Sequence, residues 1–302
     1  MPHPARGGRR FALSGNVRGA LWLLLAALSF SAMNGLIKGL GSDIHAFQMA
    51  FFRSLFGLLV VAPFALSGGW RTLATGRPGL HLLRGLFGVA AMLCTFYALA
   101  NLPLAMAVTI LFAKPLFMIV LAVLFLGETV RWRRWLATAV GFAGVLLMVR
   151  PAGGGEAGPA MVALLAALLT AVVLVLIKKM TATERPAAVL FYFSVSASIG
   201  TLGPALAVWT TPPPMEFALL LAMGAFGSLG QYFGIRAFHA GEATAVAPVD
   251  YSTLLFSGLI GYVAFAEIPD RETVIGGAIV VTSTLYIVIR EARQAAGRQP
   301  LQ

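Results

Sequence analysis

Three charged side chains lie deep inside apolar runs, where they could act on a solute: Arg53, Lys114 and Asp250. Lys114 falls at the middle of LAMAVTILFAKPLFMIVLAVLFLGE, the stretch from Leu104 to Glu128, with Pro115 directly after it. A lysine at bilayer depth costs about 2.5–3.5 kcal/mol on insertion scales, and a proline there frees a backbone carbonyl that needs another partner. Two readings follow. Either the helix kinks and a neighbour neutralises the lysine, or the lysine faces a polar cavity where something binds. Tyr97, Phe112, Gln231, Tyr232 and Tyr251 offer the stacking and hydrogen bonding that would hold a ring-bearing solute there. Asn34 adds an amide on the first apolar run, a group that faces a helix or cavity rather than lipid. These types bind; they do not compose a catalytic set. There is no HExxH, and His3, His45, His81 and His239 stand apart with no carboxylate pair beside any of them. No catalytic residue, metal ligand or cofactor is expected, and an intramembrane enzyme is the weaker rival class.

The elements that position these residues follow from composition. Of 302 residues 59% are hydrophobic and 11% charged, with mean hydropathy +0.87, against roughly 25% charged in soluble domains. The chain reads as an all-α integral membrane protein with ten spans at 19–38, 46–66, 79–100, 103–125, 135–149, 160–177, 187–209, 215–238, 243–265 and 271–289. Lipid permits only helices or closed barrels, and these runs are too long and too continuously apolar for barrel strands. Arg6, Arg9 and Arg10 before the first run resemble a signal peptide, yet the apolar segment continues through Met33 to Ile37, so it is read as a span. Cys94 is the single cysteine, which rules out an intramolecular disulfide.

With the N-terminus in the cytoplasm, fifteen basic residues of tails and loops fall inside, among them Arg18, Arg71, Arg77, Arg131, Arg133, Lys178 and Arg290. Three fall outside: Lys38, Arg150 and Arg271. That asymmetry places both termini in the cytoplasm of a bacterial-type inner membrane. The net charge of +11 is therefore a matter of topology and not of nucleic-acid binding. Trp22, Trp70, Trp132, Trp135 and Trp209 sit at span ends or in adjoining loops, as an interfacial belt requires.

The chain also repeats itself. LLAALSFSAMNGLIK (24–38) aligns with LLAALLTAVVLVLIK (164–178) at an offset of 140, with eight identities in fifteen positions. Leu116-Phe117 matches Leu255-Phe256, and Glu128 matches Glu267, at an offset of 139. Five spans per copy is an odd number, so the copies enter the membrane from opposite sides. Transporters built this way place the substrate site at the midplane between the halves. The implied organisation is a basic tail (1–17), a first repeat (18–150), a linker (151–159), a second repeat (160–290) and a C-terminal tail (291–302).

RGALWLLLAALSF, FFRSLFG, FYALANLPLAMAVTILFAKPLF with its trailing GE, APVDYSTLLFSGLIGYVAFAE and LYIVIRE carry, in this order, a resemblance to the drug/metabolite transporter superfamily in its EamA branch. The resemblance covers about residues 18–290. It implies a secondary transporter of a small organic metabolite working by alternating access. APVDYSTLLFSG and GRPGLHLLRG look most like riboflavin and S-adenosylmethionine carriers, with amino-acid or metabolite efflux as the alternative. The expected partners are that solute and the lipid bilayer, with a homodimer left open. One departure is visible: where the first copy has Pro115 the second has Leu254, its proline being Pro248, so the two copies need not kink at one depth.

Depth separates the charges. Arg84 and Arg236 lie within about one or two turns of span ends and are read as snorkelling to headgroups. Lys114 and Asp250 differ in level by only about 4 Å on helical rise, which makes an ion pair between the copies the natural expectation. Gly35-x-x-x-Gly39 and Gly230-x-x-x-Gly234 allow close helix approach, and Glu128 is expected to pair with Arg131 or Arg134.

Overall fold

A computed structural model describes residues 15–66, 73–126, 132–149, 157–180, 184, 186–240 and 247–296. The first half contains α1 (Gly15–Leu40), α2 (Ala46–Leu66), α3 (Pro78–Asn101), α4 (Leu104–Leu111), α5 (Lys114–Leu126) and α6 (Trp132–Val149). The second contains α7 (Ala157–Met180), α8 (Pro186–Ala207), α9 (Pro214–Ala240), a 3-10 turn (Ala247–Tyr251), α10 (Ser252–Phe265) and α11 (Arg271–Ala296). Seven stretches among the described residues are long and apolar enough to cross a membrane; Trp135–Met148 and Val249–Phe265 are shorter apolar helices. Together with α11 they make ten spans, each half contributing five.

Packing follows the repeat. α1 lies along α9, and its counterpart α7 lies along α3; α2 meets α9 as α8 meets α3. α1 packs on α10, and α7 packs on α4 and α5. Equivalent helices also pair with each other, α2 with α8 and α6 with α11. An exchange of halves that maps each of these contacts onto another of them is what a two-fold axis between inverted repeats produces. Gly15 and Ala296 lie at one end of the bundle, called here the His81 end, and Lys38 lies at the other.

Two expected spans are interrupted. The fourth is not one helix over 103–125, because Phe112 and Ala113 separate α4 from α5. There the bonding tightens: the Phe112 N–H donates to Val108 O and Thr109 O (3.0 and 3.1 Å), and the Ala113 N–H to Ile110 O at 2.9 Å. Pro115 has no N–H to give the carbonyl four residues earlier, which is why the helix cannot pass through unbroken. Of the ninth, residues 243–246 lie outside the described residues; from Ala247 it runs as a 3-10 turn and becomes α-helical at Ser252. At the offset of 139, Phe112 corresponds to Tyr251, so both copies change helix type at one place. The displaced proline thus leaves the interruptions in register.

α7 begins at Ala157, inside the segment read as a linker, and carries Pro159 in its first turn, where a missing N–H costs nothing. Trp70, Glu128, Arg131 and the side chain of Arg134 lie outside the described residues.

Candidate functional site

The two interruptions face each other. The rings of Phe112 and Tyr251 lie 5.2 Å apart between centroids, inclined at 35°. Lys114, the first residue of α5, holds its Nζ 5.1 Å from the Phe112 centroid, within reach of a cation–π attraction. Asp250 is half-buried and directly precedes Tyr251, whose hydroxyl shares a hydrogen bond with Thr284 of α11. The expected ion pair does not form in this conformation: among the described residues Lys114 and Asp250 have no salt bridge, and the Lys114 ammonium lies over the Phe112 ring instead. The lysine is held by the ring two residues before it.

The remaining candidates divide. Arg53 lies on α2 with its guanidinium against Gly57 and against Gly227 of α9. Asn34 is buried on α1, on the face that also carries Ser31 and Lys38; Ser31 donates to Thr253 O and accepts from the Ser257 hydroxyl of α10. Tyr97 and Gln231 are half-buried. Tyr232 is 51% exposed and meets the Trp22 ring edge-on and the Phe233 ring at a tilt on the outer side of the α1–α9 seam, an interfacial position. Arg236 is exposed and lies over the Trp22 ring at 5.4 Å.

Arg84 departs from expectation. It is 6% exposed and sits over Phe193 of α8 at 4.3 Å, with Nε and Nη1 buried and lacking hydrogen-bond partners. Gly85 and Gly88 let α8 close over it: a Cβ at Gly88 would lie 2.6 Å from the Phe193 ring. A covered guanidinium cannot snorkel.

Polar ties close each end. At the Lys38 end, Lys38 Nζ donates to Glu267 Oε1 at 2.7 Å and to Leu102 O at 2.6 Å, and the Leu104 N–H donates to Glu267 Oε2 at 2.7 Å. Ala266, at φ 54, turns the chain out of α10 so that Glu267 reaches back. At the other end His81 meets Glu184 at 3.2 Å, and Tyr192 packs on the imidazole while its hydroxyl donates to Leu73 O. Burial alone would raise the Glu184 pKa, but bonds from His81, Thr75 and the Gly76 backbone hold it below the ordinary carboxylate range. His81, isolated in the sequence, gains its carboxylate from 103 residues away.

A cleft of about 660 Å³ runs between α4, α10 and α11, lined by Thr109, Tyr251, Ser252 and Gly277 with Leu255 and Val274 exposed at its rim. Its walls are mostly apolar and do not suit a polar solute.

Two inverted halves, with charges and aromatic rings gathered where the fourth span of each changes helix type, are the build of a membrane transporter. The chain belongs to the EamA-like transporter family of the drug/metabolite transporter superfamily, whose description matches residues 17–150 and again residues 158–289. It is 36% identical to an S-adenosylmethionine uptake transporter of Rickettsia felis over 96% of this chain and 99% of that one. Similarity extends to a pseudopaline exporter of Pseudomonas aeruginosa (34%, covering 89% and 95%) and a riboflavin transporter of Rhizobium johnstonii (32%, covering 92% and 93%). A solved crystal structure shares the fold at TM-score 0.61 with 20% identity, over 91% of this chain and 98% of that one.

Proposed function

We propose that this transporter carries S-adenosylmethionine or a close adenosyl amino acid into the cell, across an inner membrane in which both termini are cytoplasmic. The observation that carries the reading is the Phe112–Tyr251 ring pair, with Lys114 against the Phe112 ring and Asp250 next to Tyr251 in the chain. A purine stacks on aromatic faces. Asp250 has no bonded cation among the described residues, so it is available to a sulfonium or ammonium group. Lys114, held on the Phe112 ring in this conformation, would compete for that carboxylate only in another conformation of the transport cycle. Relatives named for S-adenosylmethionine uptake, aligned along nearly the full chain, support the same choice.

The basic residues of tails and alternate loops support the orientation, and the common end shared by Gly15 and Ala296 agrees with an even number of spans. The test is uptake of radiolabelled S-adenosylmethionine by proteoliposomes, with riboflavin and free methionine as parallel substrates. Saturable uptake of the adenosyl compound alone is expected. Uptake of riboflavin without it would make the ring pair a flavin site and overturn the proposal.

A further inference from the structure

Arg53 stands without a counter-charge in the interior. On α2, Ala46, Met49, Ala50 and Gly57 are buried and, spaced three or four residues apart around Arg53, mark the face turned into the bundle. Arg53 shares that face, about 10 Å below the start of the helix. Its guanidinium rests where α9 has no side chain: a Cβ at Gly227 would lie 3.3 Å from Arg53 Nε and 2.9 Å from Met33 Sδ. Among the described residues no carboxylate pairs with it and no acceptor bonds to it. A guanidinium is always charged, and holding it at this depth without an anion is costly. The neighbouring Phe52 and Phe56 face Trp209 and Phe217, not the guanidinium.

We propose that Arg53 is the anion anchor of the transport site and binds the carboxylate of a zwitterionic substrate; this rests on the reading of the protein as a carrier of an adenosyl amino acid. The two ends of such a ligand have separate seats along α1. Val249, next to Asp250, packs in one cluster with Leu23, Ala26 and Ala237, whereas Met33 lies with Arg53 against Gly227. From Ala26 to Met33 the rise along α1 is about 10 Å, a separation one small metabolite spans. The cationic group of the substrate meets Asp250, and its carboxylate meets Arg53 as a two-pronged acceptor, a geometry guanidinium matches and ammonium does not. Arg53 thereby selects substrates by their anionic group, whatever ring they carry.

Decarboxylated S-adenosylmethionine keeps the purine and sulfonium and lacks only the carboxylate, so it isolates the contact. Affinities of both compounds are measured on full-length protein in lipid nanodiscs, for wild type, Arg53→Gln and Arg53→Lys. Wild type should prefer S-adenosylmethionine by about ten- to hundredfold. Arg53→Gln should lose that preference while binding the decarboxylated compound within about twofold of wild type, and Arg53→Lys should restore part of it. Melting temperature serves as the second measurement. Removal of an uncompensated charge at this depth should leave it unchanged or raised, whereas a structural arginine would lower it. If wild type binds both compounds equally, or Arg53→Gln keeps the preference, the anchor is wrong and the adenosyl reading stands. If wild type binds pseudopaline, which bears several carboxylates, but neither adenosyl compound, that reading fails, and the loss of pseudopaline binding in Arg53→Gln upholds the anchor. Binding of riboflavin alone, or of none of these compounds, overturns both.

Discussion

Phe112 and Tyr251 occupy the same position in the two halves of the chain, and their rings meet at 5.2 Å. Equivalent residues of an inverted repeat touch only at the two-fold axis that relates the halves. The contact therefore lies on that axis, at mid-depth in the bundle, and the helix interruptions bring it there from both halves. Each half contributes one ring and one charged neighbour.

Removing one ring should weaken binding of a stacked base without unfolding the protein. An aromatic pair is worth about 0.5–1.5 kcal/mol beyond its buried area, so Phe112→Ala is expected to raise KM for S-adenosylmethionine uptake by about tenfold. Tyr251→Phe keeps the ring and loses only the Thr284 contact, and its KM should stay within about threefold. Uptake kinetics in proteoliposomes check both; an unaltered KM in Phe112→Ala would remove the stacking role.

The Lys38–Glu267 contact joins the end of α1 and the α3–α4 junction of the first half to the α10–α11 turn of the second. Any opening at this end has to break it. Glu267→Ala removes the acceptor of Lys38 and of the Leu104 N–H together, whereas Glu267→Gln keeps a neutral oxygen for one of them. Hydrogen bonds to charged groups are worth about 1.5–3 kcal/mol, so the alanine variant should lose more thermal stability than the glutamine one. The Lys38→Met and Glu267→Ala changes should be non-additive by about 1 kcal/mol or more. Additive losses would mean that the two side chains merely lie near each other.

Much of this was legible in the residues. Spans, turns and the repeat are written in hydrophobic runs and in near-equal offsets, because lipid allows a backbone few alternatives. The rings and charges at the break were visible for the same reason, since a lysine beside a proline in an apolar run has few bland explanations. What stayed hidden depends on which helix faces which. Arg84 lies near a span end, where snorkelling is the economical expectation, and only the closeness of Gly88 to Phe193 shows that α8 covers it. His81 and Glu184 are 103 residues apart, and no local spacing relates them. The Lys114–Asp250 pair failed as an expectation because depth along a helix gives a level and not an azimuth, and Lys114 turns to the Phe112 ring.

The His81–Glu184 contact carries a pH dependence with a definite sign. A carboxyl held below its usual range adds stability above its unfolded pKa of about 4.3 and loses it as pH falls through the lower folded value. Glu184→Gln should therefore melt below wild type at neutral pH, and the two curves should converge between about pH 5 and pH 3. Thermal unfolding of both proteins in detergent across that range is the measurement. A constant difference would assign the effect to packing around Tyr192.

Lys114 rests on Phe112 rather than on Asp250, and this alters what its removal should do. Were the two charges a permanent pair, Lys114→Ala would strand a buried carboxylate and cost about 3–5 kcal/mol, and adding Asp250→Ala would recover it. With Lys114 on the Phe112 ring and unpaired with Asp250, Lys114→Ala loses mainly a cation–π contact, about 0.5–2 kcal/mol, and should fold and insert well. Transport is a separate matter. If Lys114 competes with substrate for Asp250, its loss should leave S-adenosylmethionine bound at least as tightly as in wild type but released slowly, with turnover reduced by about tenfold or more. Asp250→Ala should abolish tight binding, and the double variant should resemble Asp250→Ala. Binding and single-turnover release, both normalised to folded protein, separate these outcomes. A double variant with wild-type transport would show that neither charge takes part, and the lysine beside the helix break would then be a structural kink alone.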